Sequence, residues 1–456
     1  MTFFAEVDRF LSGIEKVAWQ LRSLSEELGL RGERAARLSQ TSWMLVKLIA
    51  DYRSFAIYSA FLPDDKLRDV ETRLHARNAR RFARTAAAQR GAFLKVGQLL
   101  SARPDLLPAS WIDALRPLQD DAPAEPFAAV RAVVEASLGG ALDTVFARFD
   151  ETPLAAASIG QVHRARTRDG REVAVKVRRP GVGELVEHDL ALLEVAVEAM
   201  RSMLPPADHA TIIAEVQARV RGELDYAAEA RAMTEMADRF AATAGVRVPR
   251  PVPELCSDEV LTAEYVEGER LPEALAQATP ERRDAILGTL LEVYLRQLLE
   301  LGRFQADPHP GNFLVAPDGA LVLLDFGCTC TLSDEDRGHY RGLVRAFVGG
   351  DGDAAAAHLE ALGFRTRSGR PDTLHAFAAA LLDSFRRAAA EGRFEWPTRE
   401  RLLATARALA EQTVADPVER IPPSFVMIGR VFGTLGGLFG HHRPRLDWAR
   451  VLPYLV

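Results

Sequence analysis

Four side chains in this sequence have the chemistry that binding of nucleotide phosphates requires. Lys176 closes the run Val173-Ala-Val-Lys176, Asp307 and Asn312 bound the segment Asp307-Pro-His-Pro-Gly-Asn312, and Asp325 begins Asp325-Phe-Gly327. A lysine ammonium neutralises phosphate oxygens, and amide and carboxylate oxygens are the hard ligands that Mg²⁺ prefers. We therefore predict that Lys176 pairs with the α- and β-phosphates, and that Asn312 and Asp325 hold Mg²⁺. Asp307 would position an attacking hydroxyl group or accept its proton.

The strands that must carry these residues are marked by apolar runs and turn signals. Glu172–Val177 is predicted to pair with Gln161–Ala165 through the turn Arg168-Asp-Gly-Arg171, because Asp-Gly favours the positive φ of a tight hairpin turn. Phe313–Leu324 is predicted as a second hairpin that turns at Pro317-Asp-Gly319 and leads into Asp325. Further strands are predicted at Val145–Phe149 and Glu259–Val266.

Helices are predicted for most of the remaining chain. Apolar residues recur at three- and four-residue steps from Phe3 onward, and the stretch Ala122–Pro126 has the composition of a linker. Helical patterns follow at about 127–138 and 183–240, and only helices are predicted after the second hairpin. We divide the chain into an N-terminal helical extension (1–125), a strand-containing domain with inserted helices (126–268) and a helical domain (269–456).

Composition and net charge argue against a nucleic-acid-binding protein and against a disulfide-stabilised protein. The chain has 456 residues, a net charge of −6 and a pI near 6.0, which does not favour a nucleic-acid-binding protein. The basic stretch Arg77–Arg84 is interpreted as a solvated helix face. Three cysteines, Cys256, Cys328 and Cys330, are too few for a disulfide framework and fit a cytoplasmic protein.

The three phosphate-binding segments stand in the order in which protein kinases carry V-A-I-K, D-x-x-x-x-N and D-F-G. A more specific resemblance is to the UbiB/ADCK (ABC1-type) family of atypical kinases. Lys95-Val-Gly-Gln98 resembles its K-x-G-Q motif, Pro153–Val162 its alanine-rich loop, and Glu223-Leu-Asp225 its E-x-D segment. Asp307–Asn312 is similar to the catalytic loop of that family, and the resemblance covers about residues 85–335.

The resemblance implies an α+β, protein-kinase-like two-lobed fold with an N-terminal helical extension. It also implies that four residues line a covered pocket: Lys95, Gln98, Glu223 and Asp225. Nucleotide contacts are expected, beside Lys176, from Ala155, Ala156, Ala157, Ser158, Ile159, Gly160 and Val162 of the loop and from the backbone of the hinge Glu264-Tyr-Val266. Glu229 is the first choice to pair with Lys176 and Glu223 the second, but the sequence does not choose between them, since both acids lie on one predicted helical stretch.

Three features depart from ordinary kinases. Alanine adds a methyl group where glycine would let the backbone approach phosphates, so the loop Ala155–Ser158 is expected to be stiffer and to alter nucleotide preference. Gln305 stands two residues before Asp307, where kinases and most relatives have a histidine that usually has a structural role. An A-P-E segment after Asp325-Phe-Gly327 is also missing from the sequence.

The function implied is an ATP- (or ADP-) and Mg²⁺-binding atypical kinase or ATPase that supports isoprenoid-quinone, ubiquinone-type, or related lipid metabolism. A true protein or small-molecule kinase and a non-catalytic nucleotide-binding scaffold are the alternatives. The glycine-spaced region Gly433–Gly440 is predicted as close packing or a loop, and no convincing membrane-spanning helix is found in the sequence. Membrane contact would then be peripheral, through an amphipathic N-terminal helix or the Gly433–Gly440 region, with an isoprenoid lipid or quinone precursor as partner.

Overall fold

The computed structural model describes residues 33–59, 63–89, 94, 96–97, 108–115, 118, 124–200, 209–370, 372–376, 378–379, 393–394, 416, 418–420, 422–447, 449 and 452–455. Lys95, Gln98 and the predicted N-terminal amphipathic helix lie outside the described residues. The chain divides into two compact units. The first comprises Met1–Ala228 and Val252–Thr262, and the second Glu229–Pro251 and Ala263–Val456.

Helices make up much of the first unit. They are Glu33–Tyr58, Asp64–Gln89, Ala109–Leu115, Phe127–Leu138, Leu142–Val145, Val182–Met200 and His209–Gly222. Residues one turn apart on the first two, such as Leu45 with Ile49 and Phe82 with Ala86, share one apolar cluster with Leu190. Arg77, Arg80 and Arg84 of the basic stretch are exposed on the second helix, whereas Arg81 is half-buried and pairs with Asp51 at 2.7 Å.

A five-stranded sheet completes the first unit. It consists of β1 (Phe146–Phe149), β2 (Ala155–Ala156), β3 (Gly160–Thr167), β4 (Glu172–Arg178) and β6 (Val260–Glu264). The order is β1-β3-β4-β6 with β2 paired to β3, and the last two residues of β6 belong to the second unit. Val173, Val175 and Val177 alternate into the core, so Lys176 projects from the opposite face of β4. The predicted turn is present, with Gly170 at φ 91°.

The second unit contains two small sheets. One has the order β5-β10-β9-β7, formed by Val246–Arg247, Leu321–Leu323, Phe313–Val315 and Glu269–Arg270. The other pairs β8 (Arg303–Gln305) with β11 (Thr329–Thr331). Short pairs are also formed by β12 (Arg365–Thr366) with β14 (Val418–Arg420), and by β13 (Arg393–Phe394) with β15 (Leu446–Asp447).

Helices surround these strands and supply most of the core of the second unit. They are Tyr226–Phe240, which begins in the first unit, Leu271–Gln277, Pro280–Leu295, Asp334–Val348, Gly352–Ala361, Pro423–His442 and Leu452–Leu455, with a π-helical turn at Arg296–Leu301. Thr279 caps one of them by accepting a hydrogen bond from the Arg282 N–H, and Pro280 occupies the first helical position, where its missing N–H costs nothing. Leu290, Phe313 and Phe439 belong to the shared core.

The predicted α+β class is confirmed, and both hairpins form where turn residues marked them. The prediction that only helices follow the second hairpin was wrong, because β11, β12, β13, β14 and β15 lie there. The loop that was one of two alternatives at Gly433–Gly440 was wrong, because these residues lie within the helix Pro423–His442. Close packing, the other alternative, stays a prediction: Gly436 is buried, whereas a Cβ at Gly433, Gly437 or Gly440 would meet no described atom within 4 Å beyond its own helix backbone and chain neighbours.

Candidate functional site

The register of the second hairpin brings the two proposed metal ligands to one end of it. Phe313 in β9 pairs with Leu323 in β10, so Asn312 and Leu324 are the next opposing residues and Asp325 follows directly. The Leu324 N–H donates to the Asn312 carbonyl at 3.0 Å, which closes that end of the hairpin. Two residues separated in the sequence by a turn are therefore neighbours on adjacent strand ends.

Two prolines shape the loop that precedes this hairpin. Residues before proline avoid the helical region, so Asp307 and His309 favour extended backbone, and His309 has ψ 132°. Pro310 then opens a 3-10 turn in which the Asn312 N–H bonds to the His309 carbonyl at 2.8 Å. The turn brings Asn312 back over Asp307, whose carbonyl accepts a hydrogen bond from Asn312 Nδ2 at 3.2 Å. The amide nitrogen is thereby fixed, and the amide oxygen is the atom left to face a cation.

Gln305, which stands where the family resemblance leads us to expect a histidine, is fully buried and connects three segments. Its backbone N–H donates to Gln297 Oε1 at 2.8 Å, and its Oε1 accepts from the Tyr294 hydroxyl at 2.8 Å. Its Nε2 donates to the backbone carbonyl of Asp325. Burial raises the pKa of Tyr294 well above its usual value, and the negative charges of Asp307 and Asp325 raise it further, so Tyr294 remains a neutral donor.

Arg430 is a site residue that the sequence prediction missed. Its Nη2 lies 3.0 Å from Asp307 Oδ1. Arg430 comes from the helix Pro423–His442, far along the chain from the catalytic loop. In the sequence, Arg430 is an isolated arginine within a strongly apolar stretch. This pattern indicates only an interruption of a hydrophobic segment and not a role in the site.

Glu229 lies beside the Asp325-Phe-Gly327 segment. It is 3% exposed, and its Oε1 accepts a hydrogen bond from the Phe326 N–H at 3.5 Å. This contact is within the second unit, and the pairing of Glu229 with Lys176 stays a prediction. Glu264, the first residue of the predicted hinge, donates its N–H to the Arg250 carbonyl at 3.0 Å, and contact of the hinge with adenine stays a prediction. Val266 packs against an apolar cluster that includes Val322.

Lys176 in the first unit lies over an aromatic ring. Its Nζ is 4.9 Å from the centroid of Tyr226, which is fully buried, a distance at which an ammonium ion is attracted to the ring face. Tyr226 also lies against Gly160 at the end of the alanine-rich loop. A Cβ at residue 160 would be 2.2 Å from the Tyr226 hydroxyl oxygen and 2.9 Å from the Val177 carbonyl oxygen, so glycine is required there by space.

The alanine-rich loop is itself partly a strand. Ala155 and Ala156 pair with Val162 and Gln161, and the Ala157 N–H donates to the Gly160 carbonyl at 2.7 Å. Arg179, which is buried, donates from Nε to the Ala157 carbonyl at 2.9 Å. The loop is therefore fixed by backbone pairing on one side and a guanidinium on the other.

In the E-x-D segment, the structure gives Asp225 a capping role. Its Oδ1 accepts from the Ala228 N–H at 2.7 Å, which caps the helix Tyr226–Phe240. Leu224 is held by Arg178, whose Nη1 donates to its carbonyl at 2.9 Å. The pocket-covering role of Glu223 and Asp225 stays a prediction, as does that of Lys95 and Gln98.

Two residues, Asn312 and Asp325, could hold a divalent cation through their side-chain oxygen atoms. Among the described residues there is no group of three or more His, Cys, Asp or Glu side chains that could hold a metal. Mg²⁺ is usually bound through one or two protein ligands together with water and substrate phosphates, so the pair Asn312 and Asp325 fits Mg²⁺ held jointly with a nucleotide. Asp325 Oδ1 accepts from the Gly327 N–H at 3.0 Å, which orients its carboxylate.

The sequence profile of the ABC1 atypical kinase-like domain matches residues 117–359, which include the segments predicted to bind phosphates. The chain belongs to this family. ACTIVITY OF BC1 COMPLEX KINASE 8, a chloroplastic protein of Arabidopsis thaliana, is 35% identical over 400 residues, which are 80% of this chain and 52% of that protein. AarF domain-containing protein kinase 1 of Mus musculus is 35% identical over 298 residues, 64% of this chain and 57% of that protein.

A solved structure is similar over most of the chain. The complex of Rv3197 with erythromycin from Mycobacterium tuberculosis has a TM-score of 0.60 and 26% identity, and the match covers 85% of this chain and 98% of that one. This chain spans about half the length of the curated relatives described above. Membership of the kinase-like family implies nucleotide binding in general. In the described part of this family member, no helix is long and apolar enough to cross a membrane.

Proposed function

We propose that this chain binds Mg-ATP and acts as an atypical kinase or ATPase in isoprenoid-quinone or related lipid metabolism. The observation that carries the proposal is the hairpin register that places Asn312 beside the Leu324–Asp325 end, with Asp307 held by the Asn312 amide. These are the side chains that phosphoryl transfer needs, two oxygen ligands for a cation and one carboxylate for the attacking group.

Mg²⁺, when bound, would neutralise charge on the phosphate oxygens. Asn312 and Asp325 would be its protein ligands, and Lys176 would pair with the α- and β-phosphates. Asp307 would orient an attacking hydroxyl group, or water, and accept its proton. The loop residues from Ala155 to Gly160, together with Val162, and the hinge at Glu264 and Val266 would contact the remainder of the nucleotide.

The acceptor is proposed to be a small molecule, a lipid or water rather than a protein. The support is the family resemblance, in which Lys95, Gln98, Glu223 and Asp225 cover the site that a peptide would occupy. The stiff alanine-rich loop, fixed by Arg179 and by pairing with β3, fits the same proposal, because its geometry leaves less freedom than a glycine-rich turn.

The test is phosphate release from Mg-ATP by the purified chain, with and without anionic liposomes that carry a quinone-precursor mimic. Asp325→Asn is the variant, because it removes a cation ligand with little change of shape. Asp318→Asn is the matched control, since Asp318 lies at the turn of the same hairpin and pairs with Arg247 on the surface. We expect release that liposomes stimulate, loss of release in Asp325→Asn, and wild-type behaviour in Asp318→Asn.

The same experiment separates the alternatives. Transfer of the γ-phosphate to an added acceptor without release of free phosphate would favour a true kinase. Nucleotide binding without release or transfer, together with cellular function that survives Asp325→Asn, would favour the non-catalytic scaffold. Phosphate release that liposomes do not change would contradict the link to lipids, but the proposed ATPase activity would stand.

A further inference from the structure

The ion pair between Arg430 and Asp307 lies where solvent screens it little. The Arg430 side chain is 14% exposed and that of Asp307 is 33% exposed, and Arg430 Nη2 is 3.0 Å from Asp307 Oδ1. A contact of this length between a guanidinium and a carboxylate is a charge-assisted hydrogen bond, which is stronger and more directional than a neutral one.

The position of Arg430 is not explained by packing of its helix. Met427, Val431 and Leu435 on the same helix are buried in the apolar core, so an apolar side chain at residue 430 would extend an existing face. Burying a guanidinium requires desolvation, and replacing buried ion pairs by apolar residues is often neutral or stabilising. The arginine is therefore better explained by what it does to Asp307 than by stability.

The backbone contacts of Asp307 fix where the residue lies, but leave its carboxylate free to rotate. Ala306 is held by its N–H, which donates to the Cys328 carbonyl at 2.7 Å, and the Asp307 carbonyl accepts from Asn312 Nδ2. Neither contact involves the side chain. The contact from Arg430 to Oδ1 sets the rotation of the carboxylate and determines where Oδ2 points.

We propose that Arg430 is a positioning residue that holds the Asp307 carboxylate by Oδ1 and presents Oδ2 to the attacking hydroxyl group. This inference rests on the proposed function. In the reaction, the hydroxyl oxygen forms a bond to the γ-phosphorus while the bond from that phosphorus to the bridging oxygen of the leaving ADP breaks. The hydroxyl proton passes to Oδ2. Arg430 acts through Asp307 and makes no contact with the nucleotide in this scheme.

The test compares Arg430→Gln and Arg430→Lys with Arg341→Gln as the control. Arg341 lies on the helix Asp334–Val348, a different helix from the one that carries Arg430. Turnover is measured by phosphate release and affinity by equilibrium binding of Mg-ATP. We expect Arg430→Gln to lower kcat about tenfold or more, as misplacement of a catalytic group does, while the Kd for Mg-ATP stays within about twofold. Arg430→Lys should recover part of kcat, because it restores the charge but not the planar fork.

A double-mutant cycle with Asp307→Asn tests whether Arg430 acts through Asp307. Single-turnover release of labelled phosphate is the readout, since it detects slow reactions. In the Asp307→Asn background, Arg430→Gln should cause no further loss, because the carboxylate it orients is gone. Thermal unfolding of each variant shows whether it is folded. If Arg430→Gln does not fold, Arg430→Lys provides the test in its place.

Each outcome decides the matter. Wild-type kcat in Arg430→Gln, equal losses in both Asp307 backgrounds, or a loss confined to Mg-ATP affinity would overturn the role of Arg430 and leave the proposed function standing. A wild-type chain that neither releases nor transfers phosphate would overturn the proposed function, and this inference with it.

Discussion

The side-chain amide of Gln305 donates a hydrogen bond to the backbone carbonyl of Asp325. Gln305 precedes Asp307 by two residues, so this bond ties the start of the catalytic loop to the residue proposed to hold the cation. The Gln305 Oε1 is satisfied by the Tyr294 hydroxyl, and its backbone N–H by Gln297. The Gln305 side chain thus supplies one donor and one acceptor in the buried core of the second unit.

We predict that Gln305→Leu lowers both stability and turnover. The Tyr294 hydroxyl and the Asp325 carbonyl would each lose a buried partner, which costs about 1–3 kcal/mol per group. Gln305→His should retain more turnover than Gln305→Leu, because a ring N–H can replace the donor to Asp325. Urea unfolding and phosphate release measure the two effects. Equal turnover in the two variants would show that the bond to Asp325 does not matter for the reaction.

Gly160 and Tyr226 form a second testable contact. Gly160→Ala would place a methyl group 2.2 Å from the Tyr226 hydroxyl oxygen and 2.9 Å from the Val177 carbonyl oxygen. We predict a loss of about 1–3 kcal/mol in the free energy of unfolding, as overpacking usually costs, and weaker ATP binding because Tyr226 lies under Lys176. Adding Tyr226→Phe should restore part of the stability, since it removes the nearer contact. A double variant as unstable as Gly160→Ala would assign the cost to Val177 alone.

The sequence predicts those parts of the site that local chemistry determines. The turns at Asp169-Gly170 and Asp318-Gly319 have positive φ at their glycines, 91° at Gly170 and 89° at Gly319. Once the second hairpin is placed, its register puts Asn312 near Asp325 without any further information. Local turn chemistry was therefore enough to bring together two of the proposed ligands.

The other contacts of the candidate site depend on packing between segments that are distant in the sequence. The three-residue strands β8 and β11 are too short to show an alternating pattern, and their pairing places Gln305 against Thr329. Arg430 reaches Asp307 only because its helix packs into the same core, and nothing near residue 430 in the sequence indicates that partner. Long-range packing of this kind overrides local signals, which is why these contacts could not be predicted.

The alanine-rich loop gives a further prediction. Ala156 in β2 pairs with Gln161 in β3, and the turn after Ala156 closes through the hydrogen bond from the Ala157 N–H to the Gly160 carbonyl. Ala156→Gly removes the methyl group and frees the backbone, so we expect a change in nucleotide affinity or self-phosphorylation, measured by nucleotide titration and by incorporation of labelled phosphate. Ala218→Gly, in the exposed part of the helix His209–Gly222, controls for general loosening. If neither property changes in Ala156→Gly, the loop does not set nucleotide geometry.

His163 in β3 is expected to make stability depend on pH. The Glu125 N–H donates to Gln161 Oε1, so Gln161 Nε2 faces His163 Nε2 at 2.8 Å as a donor, and His163 Nδ1 donates to the Asp150 carbonyl at 2.8 Å. A proton on His163 Nε2 would oppose the Gln161 donor. Burial is the main cause that lowers the pKa of His163 below its usual value.

Because the folded state binds this proton less readily than the unfolded state, the stability that His163 contributes is complete above about pH 6.5 and is lost as the pH falls below it. We expect the free energy of unfolding, measured in urea at pH 7.5 and pH 5, to fall less in His163→Asn than in the wild type. The difference is at most about 1.4 kcal/mol per pH unit, the limit for one proton. His188→Asn, on the helix Val182–Met200, is the control. Equal pH dependence in the wild type and His163→Asn would mean that His163 does not titrate on unfolding.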